Sequence, residues 1–286
     1  MAGGQTRILL LGGNRFAFLL AEQLLRQHVI TADQLIYSVY GITDQPNLPA
    51  CRIHQGGFGG VQGLTSWIRH HEISHLIDAT HRHAALITAN AQTAAHQCGI
   101  PACYLRPALW NLPKQLAHSA IIIADPREAF HQAACQGTRI LLTHGRANIN
   151  LVNHYPKTQF FVRTASPIAE TASNLVKITQ KGPFRDGEEQ ALFTSIRPDA
   201  ILAKFGDGPL PAKLILADKY KLKTILIAPP AGPQPQTKSL TALAAWIKQP
   251  TSRHHAHGHA MIGSTTIKTT TTGGIGVIGD DRILGG

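Results

Sequence analysis

No stretch of this chain stays apolar for long. Runs such as Ile8–Leu11 and Ala120–Ala124 fall far short of the ~18 residues a membrane helix needs, so no membrane span is expected. Cysteine is scarce: Cys51, Cys98, Cys103 and Cys135 are the four present. They lack the paired spacing of a zinc site, and a long chain without a secretory pattern is not expected to carry a disulfide framework. They read as ordinary thiols. Aromatics are 6% of residues and the Lys and Arg are dispersed, which removes the stacking platforms and basic clusters of a nucleic-acid binder. Acidic residues are also few, 16 against 27 basic ones, which leaves a formal charge of +11. That excess favours a small polyanion, such as a dinucleotide phosphate or a polycarboxylate. An extended run begins at Arg7, with no room before it for a signal peptide's charged and apolar regions, so a cytoplasmic location is expected.

What is present is a core and an alternating pattern. Apolar residues are 43% of 286, enough for a packed interior. Arg7–Gly12 is a short continuous apolar run of the kind a buried parallel strand shows, and Phe16–Gln27 then carries apolar residues at helical spacing. Leu35–Val39 and His75–Asp78 read as strands, Gln55–Gly63 as a glycine-rich loop before a short helix, and Ala84–Cys98 as a helix stopped by Gly99. Pro101–Leu105 is extended. The two prolines of Arg106–Lys114 interrupt the alternation, which resumes with strands at Ala120–Ala124, Arg139–Thr143, Gln159–Arg163, Ala200–Lys204 and Thr224–Ala228, and helices at Pro211–Tyr220 and Leu240–Lys248. This order predicts an α/β fold of two three-layer αβα domains, Rossmann-like or flavodoxin-like, with parallel sheets. The domains expected are 1–113 and 114–250. Residues 251–286, with a His cluster, a Thr run and repeated Gly-Gly, read as a low-complexity tail, and the spacing of His254, His255, His257 and His259 does not make a metal site.

Candidate site residues lie where strands end. Gly12-Gly13-Asn14-Arg15 joins the first strand to the first helix, where glycines let backbone approach a phosphate and the helix start presents free N–H groups. Its spacing is not the full G-x-G-x-x-G, and a plain strand–helix turn would look the same. Asp78-Ala79-Thr80-His81 ends a second strand at the sheet edge where ligands of open α/β folds bind, although Asp78 or Thr80 could simply cap the next helix. Among sixteen histidines, His81 stands out by position as a group able to donate a proton near neutral pH. Thr143-His144-Gly145-Arg146, Lys181-Gly182-Pro183-Phe184-Arg185 and Lys204-Phe205-Gly206-Asp207-Gly208 follow strands in the second half and leave backbone N–H groups open to an anion. The Tyr-x-x-x-Lys pair of short-chain dehydrogenases is missing at each of the five tyrosines.

Taken in order, these motifs resemble the precorrin-6A reductase family of cobalamin biosynthesis, over about Arg7 to Pro230. The resemblance rests on Gly12-Gly13-Asn14, on Asp78-Ala79-Thr80-His81, on Tyr104-Leu105-Arg106-Pro107, on Leu141-Leu142-Thr143-His144-Gly145 with Asn148, on Gly182-Pro183-Phe184 and on Lys204. The chain departs from the family pattern at Arg82-His83, at Asn14-Arg15-Phe16 and at Phe205-Gly206. The resemblance implies NADPH-dependent reduction of one macrocycle double bond of precorrin-6A to give precorrin-6B. The alternatives are the cobalt-containing substrate of the anaerobic branch, or a degenerate protein that binds nucleotide or tetrapyrrole without turnover. It further implies NADPH contacts from Gly12, Gly13, Asn14, Arg15, Asp78, Ala79 and Thr80. Substrate contacts are implied for Arg106, Thr143, Gly145, Lys181, Gly182, Pro183 and Lys204, with His81 as the catalytic proton donor and no metal.

Overall fold

The computed structural model describes residues 6–41, 48–182, 184–233 and 239–249. Two parallel sheets carry the fold. The first contains β1 (Ile8–Leu11), β2 (Leu35–Val39), β3 (Arg52–Gln55), β4 (His75–Asp78) and β5 (Ala102–Tyr104), in the order β3-β2-β1-β4-β5. Its central strands are apolar on both faces because helices cover both. Leu9 and Leu11 pack against α2 (Gly60–His70) and α3 (Ala85–Cys98), while Ile8 and Leu10 pack against α1 (Arg15–Arg26). Asn14 starts α1 by accepting the Ala17 N–H at 2.9 Å, and Gly99 ends α3 in the left-handed conformation, φ 64°.

The second half opens with α4 (Lys114–Ser119), β6 (Ile121–Ile123), α5 (Pro126–Ala134) and β7 (Arg139–Leu142). It continues through β8 (Gln159–Thr164), β9 (Leu175–Thr179), α6 (Asp186–Ile196), β10 (Ala200–Lys204), α7 (Ala212–Lys219) and β11 (Lys223–Ile227). Its sheet runs β6-β11-β10-β7-β8-β9, all parallel. Set aside β6, and the order β9-β8-β7-β10-β11 repeats that of the first sheet, with β7 in the place of β1. The repeat is visible in the residues too: Arg7-Ile-Leu-Leu-Leu-Gly-Gly-Asn-Arg against Arg139-Ile-Leu-Leu-Thr-His-Gly-Arg. Both sheets are therefore of the Rossmann type, and the flavodoxin order 2-1-3-4-5 does not occur. α5 covers one face of the second sheet, where Phe130 meets Ile140, Leu142 and Phe160, and α6 and α7 cover the other, around Leu141, Phe161 and Ile201.

The last described element, α8 (Leu240–Ile247), follows the second sheet in sequence but packs on the first core. Leu243 and Ile247, 1% and 2% exposed, join Ile8, Leu10 and Leu24. Five elements complete the sequence reading. Arg52–Gln55 is an edge strand, as is Leu175–Thr179, and α4 to α6 were not foreseen. The His cluster and the rest of 250–286 lie outside the described residues.

Candidate functional site

Each sheet has one switch point, between β1 and β4 in the first and between β7 and β10 in the second, where neighbouring connections leave in opposite directions and open a crevice at the carboxyl edge. In the first crevice the floor is shaped by Tyr37 of β2. A Cβ at Gly12 would fall 2.5 Å from the Tyr37 ring, and Gly13 sits at φ +99°, a conformation that favours glycine. The Gly12 N–H bonds to Ser38 O at 2.9 Å and the Gly13 N–H to the Tyr37 hydroxyl at 3.2 Å. Burial raises the Tyr37 pKa, so the phenol stays neutral, opposed by the Gly13 bond. The N–H groups of Arg15 and Phe16, in the first turn of α1, have no intrahelical acceptor by construction. With the exposed Arg15 side chain beside them, they form a cradle that fits a phosphate.

Behind this cradle stands a polar brace. Asp78 is fully buried at the end of β4. Its Oδ1 accepts the Thr80 N–H at 2.9 Å and the Thr80 hydroxyl at 2.6 Å, and its Oδ2 accepts the Thr88 hydroxyl at 2.7 Å and Arg106 Nη2 at 2.9 Å. Arg106 Nη1 also donates to the carbonyls of Asp78 and Leu105. Asn14 Nδ2 donates to Ala79 O at 2.8 Å, which ties the β1–α1 turn to the β4–α3 loop. Every polar atom of the Asp78 carboxylate is thereby engaged inside the protein. Arg106, expected from the resemblance to meet substrate, instead has a side chain only 6% exposed, ion-paired to Asp78. The physical reason is the buried carboxylate, which needs a cation and takes the nearest one. Asp78, Thr80 and Asn14 hold the crevice in shape.

The second crevice is more basic. Thr143 and His144 follow β7, and Lys204 ends β10 beside them. His144 is 3% exposed; its Nε2 donates to Ala147 O at 2.9 Å and its ring meets Phe130 edge to face. Burial drives its pKa down to about 4, with Lys204 and Lys213 adding to the effect against the Ala147 bond. Among the described residues, His144 Nδ1 and Thr143 Oγ1 are buried without a hydrogen-bond partner. Burial likewise lowers the pKa of Lys204. Gly145 adopts φ +87° with open space around it.

Loops from the two carboxyl edges meet. Arg82, after β4, pairs with Asp207, after β10, at 3.2 Å and donates to Pro107 O at 2.8 Å. His83 Nε2 donates to Phe205 O at 2.9 Å, and burial takes the His83 pKa to about 4. Trp110 adds bonds from its backbone N–H to Gly206 O and from its indole to Asp207 O, and a side chain on Gly206 would lie 2.6 Å from the indole. His81 is exposed at this junction. The atoms crowding its ring hold its pKa below the ordinary value; Asp207 opposes this, while Lys204, Arg106 and Arg82 reinforce it. Its Nδ1 accepts the His83 N–H at 3.2 Å, which leaves the proton of the neutral ring on Nε2.

The structure thus gathers Gly12, Gly13, Asn14 and Arg15 with Asp78, Ala79 and Thr80 at one crevice, and Thr143, Gly145 and Lys204 at the other. Lys181 and Gly182 follow β9, the outer strand of the second sheet, and Pro183 lies outside the described residues. Sequence reasoning missed Tyr37, Thr88, Lys213 and the Arg163–Glu189 pair, which sit inside strands and helices and carry no motif. It named Asp207 only as part of a glycine turn. Surface hollows, lined by His131, His154 and Lys157 or by Glu22, Arg26 and Thr31, lie by the amino ends of β7 and β8 and of β2, away from both crevices. No cluster of His, Cys, Asp or Glu among the described residues could hold a metal ion, and no described helix is long and apolar enough to cross a membrane.

Comparison with known proteins adds to this geometry. Precorrin-6A reductase of Rhodococcus erythropolis is 35% identical over 254 residues, 87% of this chain and 100% of the relative. Precorrin-6A reductase of Mycobacterium tuberculosis is 32% identical over 248 residues, 85% of this chain and 97% of the relative. The solved structure of CobK precorrin-6A reductase matches with a TM-score of 0.74 at 30% identity, covering 85% of this chain and 96% of that one. The family model described as Precorrin-6x reductase CbiJ/CobK matches residues 7–248, and the chain belongs to that oxidoreductase family.

Proposed function

We propose that this chain reduces precorrin-6A to precorrin-6B with NADPH, the cofactor on the first crevice and the macrocycle between the two carboxyl edges. The carrying observation is the junction itself: Arg82–Asp207 and His83–Phe205 bring a phosphate cradle and a basic crevice edge to edge. In this reading residues 1–113 form the nucleotide half and 114–250 the substrate half, and the enzyme works in the cytoplasm. NADPH supplies a hydride to one carbon of a macrocycle double bond, and a proton must reach the other carbon. His81 is the donor we assign. Its lowered pKa makes the imidazolium a stronger acid but a scarcer one at neutral pH, so a step it limits slows as pH rises through that pKa. The 2′-phosphate preference is supported by the end of β2, where Ser38-Val39-Tyr40-Gly41 offers no acidic residue to a ribose hydroxyl, and by Arg15.

The test is NADPH oxidation by purified protein, with precorrin-6A and cobalt-precorrin-6A offered in parallel and NADH as the competing donor. Substrate-dependent oxidation that prefers NADPH is expected. Gly13→Asp, which puts a carboxylate and a strained φ at the cradle, should raise the Kd for NADPH more than tenfold. Binding of both ligands without oxidation would overturn the reading in favour of a non-catalytic protein.

A further inference from the structure

A nucleophile and a base stand together at the end of α5, on the amino side of the second sheet and away from both crevices. His131 and Cys135 are four residues apart, so they share one helix face, and both are exposed. Cys135 Sγ lies 3.8 Å from His131 Nε2, within reach of a thiol hydrogen bond. The two side chains open on a hollow of about 330 Å³, whose other wall carries His154, Tyr155 and Lys157. That wall is a held turn. Asn174 Nδ2 lies 2.9–3.0 Å from the carbonyls of Val152, Tyr155 and Thr158 and shares its two protons among them.

The helix end decides how such a pair ionises. The last carbonyls of α5 carry partial negative charge, which opposes a thiolate standing alone and favours an imidazolium. Transfer of the Cys135 proton to His131 leaves thiolate and imidazolium side by side, so the imidazole is what makes the thiolate accessible. Across the hollow, burial raises the Tyr155 pKa, with Cys135 and Glu128 adding to it, so the phenol keeps its proton as a donor. Lys157 is exposed on the same wall and gives the rim a positive charge, while Glu128 is engaged by Gln132 Nε2 at 2.7 Å. The other thiols are less available. Burial pushes the Cys51 thiol up to about 11 and raises that of Cys98, and Cys103 is buried.

We infer that Cys135 is a site of reversible thiolation, with His131 as its base and the disulfide of a small carboxylate-bearing thiol as its reactant. Cys135 Sγ passes its proton to His131 Nε2 and attacks one sulfur of the incoming disulfide. A new S–S bond forms to Cys135 as the old one breaks, and the departing thiolate takes the proton from His131 and leaves as a thiol. Cys135 is thereby oxidised to a mixed disulfide and one half of the reactant is reduced; an added thiol reverses the exchange. The carboxylate class follows from the rim, where Lys157 supplies the charge and Tyr155 a hydroxyl donor. The hollow gives the mounted thiol a place beside the helix end.

The test is to incubate the reduced full-length chain at neutral pH with oxidised glutathione, and separately with cystamine, its positively charged counterpart, and to follow adducts by mass spectrometry. Oxidised glutathione should place one adduct, mapped to Cys135 and removed by dithiothreitol, before any appears on Cys51 or Cys98. His131→Ala, an exposed change, should slow that reaction about tenfold. Lys157→Gln should reduce the preference for oxidised glutathione over cystamine severalfold, and thermal unfolding of both variants should match that of the wild type. Adducts spread equally over Cys51, Cys98 and Cys135, a His131→Ala rate equal to the wild-type rate, or equal rates with the two disulfides would each overturn the inference. The adduct is read without turnover, so this outcome is separate from that of the function proposed above.

Discussion

At the scale of single residues, Asp78 and Arg106 show how buried groups at the edge of a crevice can serve to hold its shape. The pair is dry, and each Asp78 oxygen has two donors. Arg106→Met leaves a buried carboxylate without its cation, and the expected cost is about 3–5 kcal/mol. Urea unfolding measures it; a loss no larger than that of an exposed ion pair would contradict the assignment. His144 gives a second test. Its folded pKa of about 4 lies below the ordinary 6.5, so the unfolded chain binds the proton more readily. Stability is complete above the unfolded value and drains as pH falls from there through 4, by about 3 kcal/mol from this residue. His144→Gln keeps a donor for Ala147 O and does not titrate, so its unfolding free energy should depend less steeply on pH across that window. An unchanged slope would count against it. The sequence marked Asp78, His144 and Arg106 by their places at strand ends. It could not separate their roles, because an arginine after a strand reads the same whether it faces a ligand or a buried carboxylate.

Among the elements, the legible ones were those with an unambiguous pattern. β1, β10 and β11 are covered on both faces and so carry apolar runs. α1 carries a clear apolar stripe at Ala17, Leu20, Ala21 and Leu24. β3, Arg-Ile-His-Gln, is an edge strand with mostly exposed side chains, and β9 has only Leu175 buried, so neither shows the run or the alternation that identifies a strand. α6 mixes acidic and small residues and is held chiefly through Phe193, Ile196 and the Glu189 pair. α8 was found as a helix but its address was not legible: an apolar face says that something covers it, not which sheet does. Its packing predicts that Leu243→Ala, which empties a site 1% exposed beside Leu10 and Leu24, destabilises the protein by about 2–5 kcal/mol in thermal or urea unfolding. A change within about 0.5 kcal/mol, the range of surface substitutions, would mean that α8 does not dock there.

For the whole molecule, the repeated strand order explains the arrangement of function. Each sheet brings one crevice at its carboxyl edge, and the two are not equivalent. The first keeps Gly-Gly, a capped helix and a buried tyrosine under the turn, which suits a phosphate. In the second, Thr143-His144 stand where the first has Leu11-Gly12, Gly145 keeps the place of Gly13, and a 3-10 turn over Ile149–His154 replaces α1, so the crevice gains side-chain donors and loses the helix start. The duplicated frame therefore holds one glycine-lined crevice and one basic, side-chain-lined crevice, joined by the Arg82–Asp207 and His83–Phe205 contacts. The overall charge of +11 makes both edges attractive to anions. In the function we propose, a hydride passes across this junction from NADPH to the macrocycle. Its most direct test is to supply precorrin-6A and NADPH deuterated at the transferred position, then weigh the macrocycle by mass spectrometry as NADPH is consumed. One deuterium gained per macrocycle is expected for each NADPH oxidised. Oxidation without deuterium in the macrocycle, or no oxidation at all, would contradict it.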